Sequence, residues 1–117
     1  MRVRLKTGFK KDGTITAGQG TFYLQAGALP GSPIRGACGC SCAPYDLQNV
    51  HVIGYDVVSN RPKVAAYRAP GAPIGSYPVE CVLDEIAESI GRDPLELRLK
   101  NAAKEGTKLA YGPVLPR

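Results

Sequence analysis

The chain has 117 residues, 44% apolar and 21% charged, a balance typical of one folded domain and unlike that of a disordered segment. Fifteen Lys and Arg oppose ten Asp and Glu for a net charge of +5. The one dense basic run, Arg2, Arg4, Lys6, Lys10 and Lys11, alternates like the solvent face of a strand and has no aromatic residues interleaved to stack on bases, so nucleic-acid binding is set aside. No stretch of eighteen apolar residues is available to cross a membrane, and Met1 leads straight into charged sequence with no apolar signal core. The expected compartment is the cytoplasm, where Cys38, Cys40, Cys42 and Cys81 stay as thiols.

In chain order, the first element is a strand over 2–9 that alternates charge with bulk, followed by Asp12-Gly13, a pair that favours a tight hairpin turn. The return strand begins at Thr14-Ile15-Thr16-Ala17 and continues through Gln25, with Gly18 and Gly20 expected to mark a bulge or a close backbone approach. Residues 26–43 are rich in Gly, Ala, Ser, Pro and Cys and read as a loop with a helical turn or two. The spacing Cys38, Cys40, Cys42 is tighter than structural zinc sites use, so these thiols read as small packing residues and no metal site is expected.

The β-branched run 50–58 predicts a third strand, and its His51, the only histidine, has no partner in a catalytic motif. A short extended run over 64–73 ends in a Pro/Gly turn. Val79, Val82, Leu83, Ile86 and Ile90 then recur at helical spacing, with Ser76 offering a cap and Pro78 expected in the first turn. Gly91 stops that helix, and Asp93-Pro94-Leu95-Glu96 opens another whose Leu95, Leu99 and Ala102 are expected to face the core. Residues 107–117 carry no periodicity and are expected to be an irregular tail beyond a single domain over 1–106. Strands come first and helices last, so the expected class is α+β: a β-hairpin and a further strand in a small sheet, with two C-terminal helices packed against it.

One segment is specific. Tyr67-Arg68-Ala69-Pro70-Gly71-Ala72-Pro73 resembles the cofactor-facing turn of the molybdenum hydroxylases, the family of xanthine dehydrogenase, aldehyde oxidase, nicotinate dehydrogenase and carbon monoxide dehydrogenase. The resemblance extends to 3–15, Pro44-Tyr45-Asp46-Leu47-Gln48-Asn49-Val50, Asn60-Arg61-Pro62, Cys81-Val82-Leu83-Asp84-Glu85-Ile86-Ala87 and 93–101, all in order, and so covers nearly the whole chain. It implies that the backbone at Arg68, Ala69 and Gly71 faces a molybdenum-pterin cofactor, molybdopterin or its cytosine dinucleotide. Free amides at a helix start suit such an anionic group.

Two residues after the Arg, purine-oxidising relatives carry a substrate-stacking Phe, and Pro70 in its place argues for an aldehyde or a smaller heterocycle. Ala69 stands where copper-containing carbon monoxide dehydrogenases have Cys, which argues against copper-bridged chemistry. Arg35 lies near the place of a substrate-orienting Arg without falling cleanly on it.

The implied reaction inserts a water-derived oxygen into a carbon–hydrogen bond, with a Glu removing the proton of the attacking hydroxyl. In the family that Glu lies far toward the C-terminus of a much longer subunit, so no catalytic residue is expected here. Glu80, Glu85 and Glu96 read as exposed or capping helix residues. The pterin-wrapping Gly-rich segments are also missing, so the isolated chain is expected to bind no cofactor tightly. The partners implied are the remaining parts of the molybdenum subunit and, in a complete enzyme, iron-sulfur and flavin subunits. The alternatives are an excised piece of a longer gene product, a split subunit that assembles or self-associates through exposed apolar surface, and a stand-alone binding module whose basic hairpin meets an acidic partner.

Overall fold

Charged and apolar side chains alternate over the first nine residues, and in the structure, a computed structural model describing residues 1–116, that alternation becomes strand β1 (Arg2–Phe9) with Arg2, Arg4 and Lys6 exposed. Lys10 and Gly13 close the turn: Gly13 N donates to Lys10 O at 2.9 Å, and Gly13 takes the left-handed φ of 82° that the Asp-Gly pair anticipates. Strand β2 (Ile15–Gly27) returns antiparallel to β1. The register shifts fall at Gly8/Phe9 and Gln25/Gly27, so the bulge expected at Gly18 or Gly20 is absent there. Those two glycines instead admit side chains: a Cβ on Gly20 would lie 2.9 Å from the Phe22 ring and one on Gly18 3.4 Å from a Leu47 methyl.

The Gly/Ala/Cys-rich segment condenses into helix α1 (Ile34–Ser41). The chain then enters strand β3 (Asn49–Val58), which pairs parallel to β2 and completes a sheet of order β1-β2-β3. A parallel pair needs a crossover, and α1 supplies it. The inner sheet face buries Phe22 and Leu24 against Ala37, with Val3, Leu5, Ile34, Val52 and Ile74 packed around them. The Phe22 side chain is fully covered, a burial that stabilises the fold by roughly 2–3 kcal/mol.

Helix α2 (Ala72–Ser89) begins earlier than its apolar periodicity predicts: Gly71 is the N-cap, Ser76 lies within the helix, and Pro78 sits in its interior. An internal Pro forfeits one backbone hydrogen bond, and packing against α1, described below, holds the first turns helical in spite of it. The helix ends as expected, with Gly91 at φ 64° and paired bonds from Gly91 N to Glu88 O and Arg92 N to Ala87 O. Helix α3 (Pro94–Asn101) starts on Asp93, whose carboxylate accepts from Leu95 N at 2.8 Å and Glu96 N at 3.0 Å.

The buried face of α3 differs from the expected one. Leu95 and Leu99 are 63% and 64% exposed, whereas Leu97 and Asn101 are buried, so the helix is rotated by two residues relative to the anticipated apolar pair. Leu97 joins Ile15, Tyr45, Leu83, Ile86 and Ala87 in a second core cluster at the hairpin end of the sheet. Beyond α3, Gly106 N bonds Leu115 O and Leu115 N bonds Thr107 O, folding the last segment back on itself with Leu109 buried. The class is therefore α+β, with a three-stranded sheet and three helices among the described residues.

The reason a polar residue faces this core is that Asn101 serves three backbone groups at once. Its Oδ1 accepts from Ile15 N at 2.9 Å, and its Nδ2 donates to Gly13 O at 2.9 Å and Leu97 O at 2.8 Å. Asn101→Leu leaves the Ile15 amide without a partner in a buried site, and a loss of about 2–4 kcal/mol is expected in urea unfolding. A loss within about 0.5 kcal/mol, the range of ordinary surface substitutions, would show that this bridge is dispensable.

Candidate functional site

The run that leaves β3 crosses the carboxyl end of β2. Ser59 N bonds Gly27 O, Ala28 N bonds Arg61 O and Val64 N bonds Ala26 O, all at 2.9 Å. Gly27, at φ 82°, has no room for a side chain because the Pro62 carbonyl lies where its Cβ would be. The segment 67–70 is thereby delivered to the carboxyl end of the two parallel strands.

That segment is a surface turn. Tyr67 is 89% exposed, and Arg68, Ala69 and Pro70 are exposed beside it. Ala72 N closes it onto Ala69 O at 3.1 Å. Ala69 is the one non-glycine residue with positive φ, 52°, among the described residues, a conformation that costs an L-residue about 1–2 kcal/mol. Among the described residues no acceptor takes the amides of Arg68, Ala69 or Gly71, and the Arg68 guanidinium enters no ion pair. The turn thus presents the unpaired amides of the exposed Arg68 and Ala69 at the positive end of an 18-residue helix, with the buried Gly71 beneath them.

What fixes the turn is contact between backbones. A Cβ on Gly36 of α1 would collide with the Pro70 carbonyl oxygen, one on Gly71 with the Pro33 carbonyl oxygen, and one on Gly75 with the Ala37 carbonyl oxygen. Gly71 and Gly75, four residues apart, share a helix face, and with Gly36 opposite them α1 and α2 approach more closely than any side chain permits. Sequence reasoning singled out Gly71 and passed over Gly36 and Gly75. The signal available was the Gly71-Ala72-Pro73-Ile74-Gly75 spacing facing a glycine-rich segment. The loop into α1 is anchored separately: the Asp56 carboxylate accepts from Gly31 N at 2.6 Å and Ser32 N at 3.0 Å.

The sequence-derived site residues divide in space. Arg68, Ala69, Pro70 and Gly71 form the turn itself, and Arg35 is the exposed neighbour of Gly36, which touches Pro70. Arg35 lines a different cleft of about 470 Å³ with Cys38, Gly39, Val50, Val52 and Tyr111, and no residue of the turn lines it. Cys38 and Cys42 point to the sheet: a Cβ on Gly54 would meet Cys38 Sγ at 2.6 Å, and one on Gly18 would meet Cys42 Sγ at 3.7 Å. Burial pushes both thiols upward in pKa, as packing residues require. His51 is exposed on β3.

Glu80 departs from its expected exposure. It accepts the Tyr45 hydroxyl at 2.7 Å and the Arg98 Nε at 2.7 Å, and Arg98 also reaches Asp84 at 2.8 Å. Burial, with the Glu80 carboxylate next, drives the Tyr45 hydroxyl well above the usual tyrosine range. This network ties the middle of α2 to α3 and to the loop before β3.

Comparison with known proteins adds what geometry alone cannot. A family model described as the molybdopterin cofactor-binding domain matches residues 1–102. The chain is 35% identical over 119 residues to the nicotinate dehydrogenase large molybdopterin subunit of Eubacterium barkeri, covering 98% of this chain and 28% of that protein. It is 36% identical over 108 residues to the aldehyde oxidoreductase of Megalodesulfovibrio gigas, covering 89% of this chain and 12% of that one. The solved aldehyde oxidoreductase from Desulfovibrio gigas superposes with a TM-score of 0.85 at 35% identity, over 96% of this chain and 13% of that chain. The fold alone is shared with quinoline 2-oxidoreductase from Pseudomonas putida 86, at a TM-score of 0.86 and 21% identity. The chain spans roughly a quarter or less of the length of the curated relatives it matches.

Gly75→Ala drives a methyl into the Ala37 carbonyl, and thermal or urea unfolding should report a loss of about 1–3 kcal/mol, the usual cost of overpacking. Gly39→Ala, in α1 but with nothing within 4 Å of the added Cβ, is expected to leave stability unchanged or slightly raised. Equal effects from the two substitutions would remove the case for a glycine-mediated helix contact.

Proposed function

Since the chain belongs to the molybdopterin cofactor-binding domain family, we propose that it is a partial domain of the large subunit of a molybdenum hydroxylase, contributing the Arg68 turn to the cofactor pocket and not catalytic alone. The observation that carries this reading is the exposed turn itself: a left-handed Ala69 and, at Arg68 and Ala69, exposed amides without acceptors just ahead of α2. Such a cradle fits an anionic group with oxygen acceptors, and it would be a costly surface feature with nothing to face.

The molybdenum-pterin group supplies the redox chemistry when bound. The chain's own part is narrower. The amides of Arg68, Ala69 and Gly71 donate hydrogen bonds to the group's oxygens, and the short, rigid Pro70 shapes the approach of substrate. Arg35 is a candidate substrate contact on the resemblance, although it lines a separate cleft that the turn does not share. The substrate class that follows is an aldehyde or a small heterocycle, because Pro70 offers no ring to stack on a purine.

Glu80, Glu85 and Glu96 are poor candidates for the base. Glu80 is engaged by Tyr45 and Arg98, while Glu85 lies exposed on the helix and Glu96 in the first turn of α3. The base and most of the cofactor contacts then come from polypeptide outside these residues. On the outer sheet face Ile53, Tyr55 and Val57 are 39%, 46% and 41% exposed, with Tyr23 stacked on Tyr55, and this is surface that the rest of a subunit would cover. Iron-sulfur and flavin partners and a cytoplasmic location complete the proposal. Among the described residues no helix is long and apolar enough to cross a membrane.

A graft tests it. Residues 1–102 replace the corresponding segment of the Megalodesulfovibrio gigas aldehyde oxidoreductase, and molybdenum is measured in the graft and in the isolated chain from the same host. The graft is expected to hold molybdenum like its parent, and the isolated chain far less than one atom per molecule. Arg68→Pro, which deletes one amide, should lower occupancy of the graft about tenfold at limiting cofactor while the isolated variant still unfolds cooperatively. Stoichiometric metal in the isolated chain, or undiminished occupancy in the variant graft, would contradict the reading.

A further inference from the structure

At the end of the sheet opposite the Arg68 turn, a recessed cleft of about 310 Å³ opens between the hairpin turn, the loop before β3 and the last turn of α3. No residue of the turn or of its glycine support lines it, so this cleft is distinct from the turn's surroundings. Its walls include Lys10, Lys100 and Lys104 with the single carboxylate Asp46, and Thr16 and Asn49 add polar groups. The sequence shows one basic run at the N-terminus; folding takes Lys10 out of that run and sets it beside two lysines from the other end of the chain.

Lys100 is already held, by Asp12 O at 2.7 Å and Asp12 Oδ2 at 3.1 Å. The ammonium groups of Lys10 and Lys104 enter no ion pair among the described residues. Two uncompensated positive charges therefore share a concave site with one negative charge across from them. A cation is disfavoured by the three ammonium groups, and an apolar ligand by the polar lining. A duplex or an extended acidic surface calls for a long charged stripe, whereas the charge here is gathered into a space that fits a small molecule.

We propose that this cleft binds a small phosphate-bearing anion, with Lys10 and Lys104 as its principal contacts. A tetrahedral dianion uses several donors at once, which the lysines and the Asn49 amide can supply and a monovalent carboxylate cannot exploit as fully. The proposal is independent of the cofactor reading, since neither lysine belongs to the turn or to its support.

The test is a titration of the 117-residue chain, followed by amide NMR at fixed ionic strength, with inorganic phosphate, pyrophosphate and acetate as probes. Saturable shifts at Lys10, Thr16, Asn49 and Lys104 are expected, with pyrophosphate binding more tightly than phosphate and acetate weakest. Lys10→Gln and Lys104→Gln should each weaken pyrophosphate about tenfold, while Lys11→Gln, outside the cleft, leaves it unchanged. Both altered side chains lie on the surface, and a dispersed spectrum verifies that each variant is folded. Shifts that never saturate, that spread over Arg2, Arg4 and Lys6, that match for acetate and pyrophosphate, or that persist in the two cleft variants would overturn the proposal.

Discussion

The contact between the backbones of α1 and the first turns of α2 is the constraint on which the rest of this structure depends. Gly36, Gly71 and Gly75 each lack the one atom that would push the helices apart. With the helices that close, α2 begins at Ala72, tolerates Pro78 in its interior, and carries Gly71 in a left-handed conformation at its head. The residues just before it are then obliged to turn sharply, and Ala69 absorbs the bend at φ 52°. An exposed loop would not hold that conformation by itself; a buried glycine contact two residues away does.

The same helix links two cores. Its first half packs Ile74 into the cluster around Phe22 and Leu24, and its second half places Leu83, Ile86 and Ala87 with Ile15, Tyr45 and Leu97. Asn101 and the Tyr45–Glu80–Arg98 network fasten α3 and the hairpin to that second cluster through hydrogen bonds that apolar packing cannot supply. Close backbone packing positions the turn, and apolar side chains of β3 stay exposed to solvent.

Much of this was legible from the residues. Alternation gave the hairpin, β-branched residues gave β3, and the capping chemistry of Gly91 and Asp93 gave the boundary between α2 and α3. The start of α2 was not legible, because Pro78 is a strong local signal against an interior helix position and only the tertiary contact with α1 overrides it. The phase of α3 was misread because Leu95 and Leu99 are the obvious apolar pair, whereas the buried pair includes Asn101, whose value lies in three backbone partners brought together by folding. The parallel pairing of β3 likewise depends on α1 acting as a crossover. At the site, the turn stood out by its resemblance to a known family, but its supports, Gly36 and Gly75, are visible only when two helices are set side by side.

Hydrogen exchange at single amides measures the central claim most directly. A preformed open cradle on a packed support requires the exposed Arg68 and Ala69 amides to exchange at rates near those of an unstructured peptide while Gly75, bonded to Gly71 O at 2.9 Å, is protected to nearly the level of the core strands. Protection at the two exposed turn amides would mean that the donors are already satisfied, and fast exchange at Gly75 would mean that nothing holds the turn in place.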